Sequence, residues 1–239
     1  LLHAIKRIYV SIFFKKSKDY IKVTTYRLEE EKMAVIIQKL VGAEHNGKYY
    51  PEFSGVAKSY NFYPNAPLKS TDGTVAVAPG LGKTIVDGGL SFRFCPKYPT
   101  HPMQFSSLND FLKYTPHDFY ALDLKEEYTD KNINEECLVK KYPLSVAEKD
   151  KTLTAVGSTY SHDNRTIYDG IEHSGPKIFT LAPILKYKVF PLPEILDLLL
   201  EMGNWGTGSP VEIEFAVNLS VPEGKPKEFG LLQMRPLVV

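Results

Sequence analysis

The chain has 239 residues, 43% hydrophobic and 24% charged, the balance of an ordinary folded protein rather than a disordered one. Its 29 basic and 28 acidic side chains leave a formal net charge of +1, so no extended basic field supports binding to nucleic acid or an anionic membrane, although a local anion site stays open. Two cysteines, Cys95 and Cys137, in no metal-type spacing, suit reduced thiols in a cytoplasm better than a disulfide scaffold. No run approaches the roughly 18 apolar residues of a membrane span.

The sequence opens "LLHAIKRIYVSIFF", without an initiator Met or a signal-peptide pattern and in mid-helix by its apolar spacing, which predicts a piece excised from a longer protein. Leu1, Ile5, Ile8 and Ile12 recur at helical spacing, with Lys6, Arg7, Lys15 and Lys16 on the other side, predicting one amphipathic helix to about Tyr20 with a solvated basic face. "MAVIIQKLV", Met33 to Val41, is an apolar run of strand length and predicts a strand covered on both faces. Asn46-Gly47 marks a turn, and strands are expected near Gly55–Phe62 and Thr74–Ala78.

"VAVAPGLGKTIVDGG", Val75 to Gly89, ends its first half like a phosphate-binding loop but lacks the motif's first glycine, whose place is taken by Val77. It also fails as a dinucleotide fingerprint, because Ile85 stands where a third glycine is needed. The middle, from about Pro96 to Ser174, is polar and turn-rich, with one helix signal where Ser107 and Asp110 form a capping box before Phe111. In "PEILDLLLEMG", Pro193 and Glu194 suit a first helical turn, and Gly203 is expected to form the left-handed C-terminal cap.

"VEIEFAV" alternates strictly, placing Val211, Ile213, Phe215 and Val217 on one face and Glu212 and Glu214 on the other. "LLQMRPL" does the same, Gln233 and Arg235 opposing Leu232 and Met234, and a linker with Pro222, Gly224 and Pro226 joins the two as in an antiparallel pair. Glu214, Gln233 and Arg235 on one sheet face suit a magnesium polyphosphate: the oxygens are hard ligands and the guanidinium forks onto phosphate. The same pattern also describes a solvated sheet face with a cross-strand Glu–Arg pair.

Several of these stretches, in order, resemble the N-terminal ATP-grasp domain of the pyruvate phosphate dikinase and phosphoenolpyruvate synthase family. "MAVIIQKLVG" is similar to its Gln-x-Met-Val strand, "EFSGVAKSYN" to its Ser-Gly-Val segment, "APGLGKTIVDGG" to its Gly-Leu-Gly-Glu loop, and "VEIEFAV" with "LLQMRP" to its Asp-Ile-Glu-Trp and Leu-Gln-x-Arg-Pro endings. The resemblance implies an α+β, ATP-grasp-like nucleotide-binding domain with a mixed or antiparallel sheet and flanking helices, its N-terminal part missing. Residues 1–239 would be that partial domain, with an insertion at about 96–174.

By position, Gln38, Lys39, Leu40 and Val41 would form the adenine-side strand, Ser54 and Gly55 a small loop over the phosphates, and Gly80, Leu81, Gly82 and Lys83 the loop near ribose and phosphate. Lys83 stands where the family commonly has Glu. Glu214 and Gln233 would hold Mg2+, and Arg235 would neutralise the transferring phosphates of ATP as the catalytic cation. The implied enzyme is a cytoplasmic kinase-type phosphotransferase in which ATP phosphorylates a histidine on another domain of the parent chain and the phosphate then reaches pyruvate on a third. None of the six histidines here has the family's Thr-Ser-His context, and the pyruvate-binding barrel is absent, so this segment alone is expected to be inactive.

Two other readings remain. Lys83 and the long middle segment suit a non-catalytic nucleotide-sensing or domain-interaction module, and 15 Tyr with 13 Phe suit a carbohydrate-binding β-domain, although those aromatics are not clustered. His162, Asp163 and His173 are read as solvated loop residues rather than a zinc site.

Overall fold

The computed structural model describes residues 1–24, 27, 29–30, 32–101, 103, 107–125 and 138–237; Cys137 lies outside them. The chain divides into two units, Leu1–Leu40 and Val41–Val239.

In the first unit the expected single helix is two, α1 (Leu2–Ser11) and α2 (Lys15–Lys22). The break falls where the Ser11 hydroxyl donates back to the Ile8 carbonyl at 2.7 Å and Phe14 turns extended to begin α2. Neither helix buries a residue. The strand expected at Met33–Val41 is not formed: residues 33–40 belong to no sheet, and Ile36 is 88% exposed. A β-branched run favours a strand only where a pleated neighbour covers it, and pattern alone does not supply that neighbour.

In the second unit Asn46 and Gly47 both take positive φ, 53° and 77°, and close the predicted tight turn between β1 (Ala43–His45) and β2 (Lys48–Tyr50). There follow β3 (Phe53–Lys58), β4 (Thr74–Pro79), the single turn α3 (Lys83–Val86) and β5 (Phe92–Phe94). Next is α4 (Leu108–Tyr114), whose N-cap Ser107 accepts from the Asp110 backbone N–H as its sequence predicts. The segment read as turn-rich supplies β6 (Asp118–Asp123), β7 (Val139–Pro143), α5 (Leu144–Lys149), β8 (Gly157–Ser161) and β9 (Thr166–Asp169). Its Phe119, Ala121 and Leu153 are fully buried, so it is part of the core. These strands are short and carry polar residues among the apolar ones, which hid them from a period-2 search. The chain closes with β10 (Lys177–Phe179), α6 (Ala182–Leu185), α7 (Leu192–Thr207), β11 (Val211–Asn218) and β12 (Glu228–Pro236).

The strands make three sheets, in the orders β1-β2-β6-β7, β10-β8-β9 and β12-β11-β3-β4-β5, and all named pairings are antiparallel. Helix α7 covers one face of the five-stranded sheet: Leu192, Leu196 and Leu200, spaced at i, i+4 and i+8, are buried in the same core as Val211 and Ile213. Each such leucine contributes about 1.5–3 kcal/mol through removal from water. The helix runs past Gly203, and its left-handed cap is Gly208 (φ 67°). Gly203 is there for closeness, because a Cβ would stand 2.7 Å from Val211 Cγ2. The far face of the sheet is left open, and the candidate site lies on it.

Candidate functional site

Strand alternation carries Glu212 and Glu214 to that open face, and hydrogen-bonded register sets their neighbours. One row runs Gln233, Glu214, Val56, Ala76, Arg93 across all five strands; the next runs Arg235, Glu212, Lys58, Thr74. A bulge fixes this alignment: Glu214 opposes Gln233 and Phe215 opposes Leu231, leaving Leu232 as the extra residue of β12. Met234 turns to the helix side, its sulfur beside Gly203.

Above the two rows is a cavity of about 750 Å³. Val56 and Ala76 line it with little bulk, Tyr60, Phe62 and Tyr63 come from the loop after β3, and Ile85, Val86, Gly88 and Gly89 come from α3 and the turn after it. Lys58, Arg93 and Arg235 face Glu212 and Glu214 there, three cations against two carboxylates. The Asn61 side-chain N–H2 is buried and has no hydrogen-bond partner among the described residues, while its Oδ1 accepts from the Tyr63 backbone N–H at 3.1 Å.

Glu212 is the most engaged of these groups. Lys58 Nζ lies 2.9 Å from it on one side, and Arg235 donates from Nε at 2.9 Å and from Nη2 on the other. Burial alone would raise the Glu212 carboxyl, but the two cations outweigh it and hold it below its usual value. Two donors of the Arg235 guanidinium are used on Glu212, and a guanidinium has five. Its side chain is 58% exposed, so the rest of the fork faces outward. The cross-strand Glu–Arg pair of the sequence reading therefore exists, with Glu212 as the partner. Glu214 is half-buried and makes no ion pair among the described residues.

Ser54 and Gly55 are not in a loop but in the central strand β3, because Gly55 accommodates the Phe215 ring and a Cβ would meet the Ala76 carbonyl at 2.9 Å. Ser54 is buried and donates to the Gly80 carbonyl at 2.8 Å. Gly80, at φ +70°, lies against the Tyr120 carbonyl, which accepts from the Leu81 N–H at 2.9 Å. Gly82 caps α3, and Lys83 pairs with Asp87 at 3.0 Å. The residues of this stretch that line the cavity are Ile85, Val86, Gly88 and Gly89, not Gly80 to Lys83. Gln38, Lys39 and Leu40 belong to the first unit, and Val41 to the second, where it is buried beside Gly230. His162 packs on Tyr160 and His173 on Tyr168.

Sequence reading missed Lys58, Asn61, Arg93 and the role of Glu212. The alternation of "SGVAK" and "SFRF" puts Lys58 and Arg93 on one face of their strands, but only the register brings those faces together.

The donor chemistry of the site suits magnesium. Glu214 and Gln233 are Cα partners with oxygen-bearing side chains, a hard-donor pair that fits the ion. The described residues hold no group of three or more His, Cys, Asp or Glu able to bind a metal, so further ligands would come from phosphate and water.

A charged, cation-rich sheet face under an aromatic-walled cavity, in an α+β fold of antiparallel sheets, defines a domain built to hold a compact anionic ligand. All 239 residues match the family described as pyruvate phosphate dikinase, AMP/ATP-binding domain, and the chain belongs to that family. Its fold is accordingly of the ATP-grasp type, its ligand class is adenine nucleotide, and its enzymes are kinase-type phosphotransferases. No curated protein matches the chain. Among the described residues no helix is long and apolar enough to cross a membrane.

Proposed function

We propose that the cavity over the five-stranded sheet holds ATP with Mg2+ and prepares it for phosphoryl transfer to a histidine of another domain, from which the phosphate passes to pyruvate. The observation that carries this reading is the register of Glu214, which lines the cavity, with Gln233, which is exposed on edge strand β12 outside the lining, beside the lining residue Arg235. Glu214 and Gln233 would hold the metal, whose charge neutralises phosphate oxygens and aligns them.

Glu212 acts as a positioning residue. It holds the Arg235 guanidinium by two hydrogen bonds, so the remaining N–H donors meet phosphate without a large ordering cost. Lys58 balances the Glu212 charge, leaving Arg235 cationic towards the ligand. In the transfer an imidazole nitrogen attacks phosphorus; a P–N bond forms as the P–O bond to the nucleotide breaks, and the leaving oxygen keeps the electron pair. Ile85, Val86 and the Tyr60–Tyr63 loop would offer an apolar slot for the base. We place this in the cytoplasm of a multidomain parent in which residues 1–239 are part of the nucleotide-binding domain.

One observation favours a second reading, a nucleotide sensor without turnover: Lys83, where the family commonly has Glu, is paired with Asp87 away from the cavity lining. Calorimetric titration with ATP, with and without Mg2+, tests nucleotide binding. Magnesium-dependent heat that saturates supports the proposed site, and identical traces with and without the metal overturn the metal assignment.

A further inference from the structure

Asn61 belongs to the loop that follows Lys58 and lines the nucleotide cavity, although the residue is only 7% exposed. Two of its polar groups are committed within the protein. Its backbone N–H donates to the Ser70 carbonyl at 2.8 Å, and its Oδ1 accepts from the Tyr63 N–H two residues on at 3.1 Å, the hydrogen bond of an Asx turn. That bond settles which amide atom is the oxygen, so the other is the N–H2. Nδ2 is buried and has no partner among the described residues. Burying an amide donor without an acceptor costs free energy, which an acceptor arriving with a ligand would recover.

With Oδ1 taken by Tyr63, the amide cannot present a donor and an acceptor side by side, which is how asparagine reads the edge of adenine. It is left as a donor only, and a phosphate oxygen is an acceptor only. The neighbouring cations are partly spent on the protein's own carboxylate: Lys58 lies 2.9 Å from Glu212, and Arg235 gives two of its donors to the same side chain. A neutral amide is not drawn to Glu212 or Glu214 as a further cation would be, so its donor stays free for the ligand. We propose, resting on the nucleotide reading of this cavity, that Asn61 Nδ2 donates to a phosphate oxygen of the bound nucleotide and that the Asx turn with Tyr63 holds it in place to do so.

The test is calorimetric titration of the full chain with Mg-ATP, and with adenosine as the phosphate-free probe, in the wild type, Asn61→Ser and Asn61→Asp. Both replacements keep an oxygen that accepts from the Tyr63 N–H, and both lose the amide donor. Asn61→Ser should weaken ATP by about tenfold, ~1.4 kcal/mol, and Asn61→Asp by more, because its charge repels phosphate. Adenosine should bind all three proteins alike. Thermal melting without nucleotide identifies a variant that has lost its fold, and the other variant then carries the test. Unchanged ATP affinity in folded Asn61→Ser overturns the contact, and so do equal losses for ATP and adenosine, which would move the amide to the base or to a purely structural role. A wild type that binds no nucleotide overturns the contact together with the nucleotide reading, whereas a wild type that binds ATP no better than its folded variants overturns the contact alone.

Discussion

Glu212 and Arg235 face each other as Cα partners across β11 and β12, and the guanidinium Nε donates to Glu212 Oε1 at 2.9 Å while Lys58 holds the other oxygen at 2.9 Å. A carboxylate bracketed by two cations is neither a metal ligand in waiting nor a solvated surface charge. It is the fixture that aims Arg235.

The bracket has a pH signature. Despite the opposing effect of burial, Lys58 and Arg235 keep the Glu212 carboxyl below its usual value. A carboxyl with a depressed folded pKa contributes its full stability above the unfolded value, about 4.3, and loses it as pH falls through the folded value. Acid unfolding of the wild type should therefore steepen below about pH 4.5, and Glu212→Gln should lose that increment. At neutral pH the same variant should cost about 1–3 kcal/mol, because two cations lose a charged acceptor. Denaturant melts across the acid range check both.

Two glycines of α7 should respond with opposite signs. Gly203→Ala places a Cβ 2.7 Å from Val211 Cγ2 and should destabilise by about 1–3 kcal/mol through overpacking. Gly206→Ala meets nothing within 4 Å and should stabilise by about 0.5–1 kcal/mol, because alanine loses less backbone freedom in a helix. Thermal melting of the two variants distinguishes them.

Away from the site, Asp150 ties β1 and β2 to α5. It accepts from Asn46 at 2.6 Å and from the Tyr50 hydroxyl at 2.7 Å, and pairs with Lys48 at 3.2 Å. Burial would raise this carboxyl, but those three partners hold it below its usual value. The Asp150 side chain is 2% exposed, so Asp150→Ala should cost about 3–5 kcal/mol by leaving Lys48 without its buried partner. Tyr50→Phe removes a hydroxyl that donates to Asp150 and lies 3.2 Å from Thr152 Oγ1, and should cost less, about 1.5–3 kcal/mol, the range of a hydrogen bond to a charged group. Chemical denaturation of both variants measures the difference.

The two endings were legible as strands because "VEIEFAV" and "LLQMRPL" alternate without interruption, and the core face of β11 follows directly: Val211, Ile213, Phe215 and Val217 are all fully buried. The partner of Arg235 was not legible. Whether it meets Glu212 or Glu214 depends on the bulge at Leu232, a feature of three-dimensional pairing that leaves no local pattern. Gly203 misled for a related reason, since a glycine near a helix end serves equally as a cap or as a close contact, and only the position of Val211 decides. Met33 to Val41 carries strand propensity but gains no sheet, and β6 to β9 gain sheets with weak propensity, which is how tertiary context overrides local preference.

The metal pair should separate function from stability. Gln233 is exposed and Glu214 half-buried, so Gln233→Ala should change stability by no more than about 0.5 kcal/mol. Arg235→Lys keeps the charge but loses the fork onto Glu212, and nucleotide affinity should fall on the order of tenfold, ~1.4 kcal/mol. Titration and melting of each variant side by side give the comparison.

The most direct measurement uses Mn2+ in place of Mg2+ and follows its paramagnetic resonance with ATP present, in the wild type, Glu214→Ala and Gln233→Ala. The account predicts a protein-bound Mn2+–ATP signal in the wild type that is strongly reduced in both variants while their melting stays close to wild type. A bound signal of equal strength in all three proteins would contradict it, and the metal would then have to lie elsewhere than between β11 and β12.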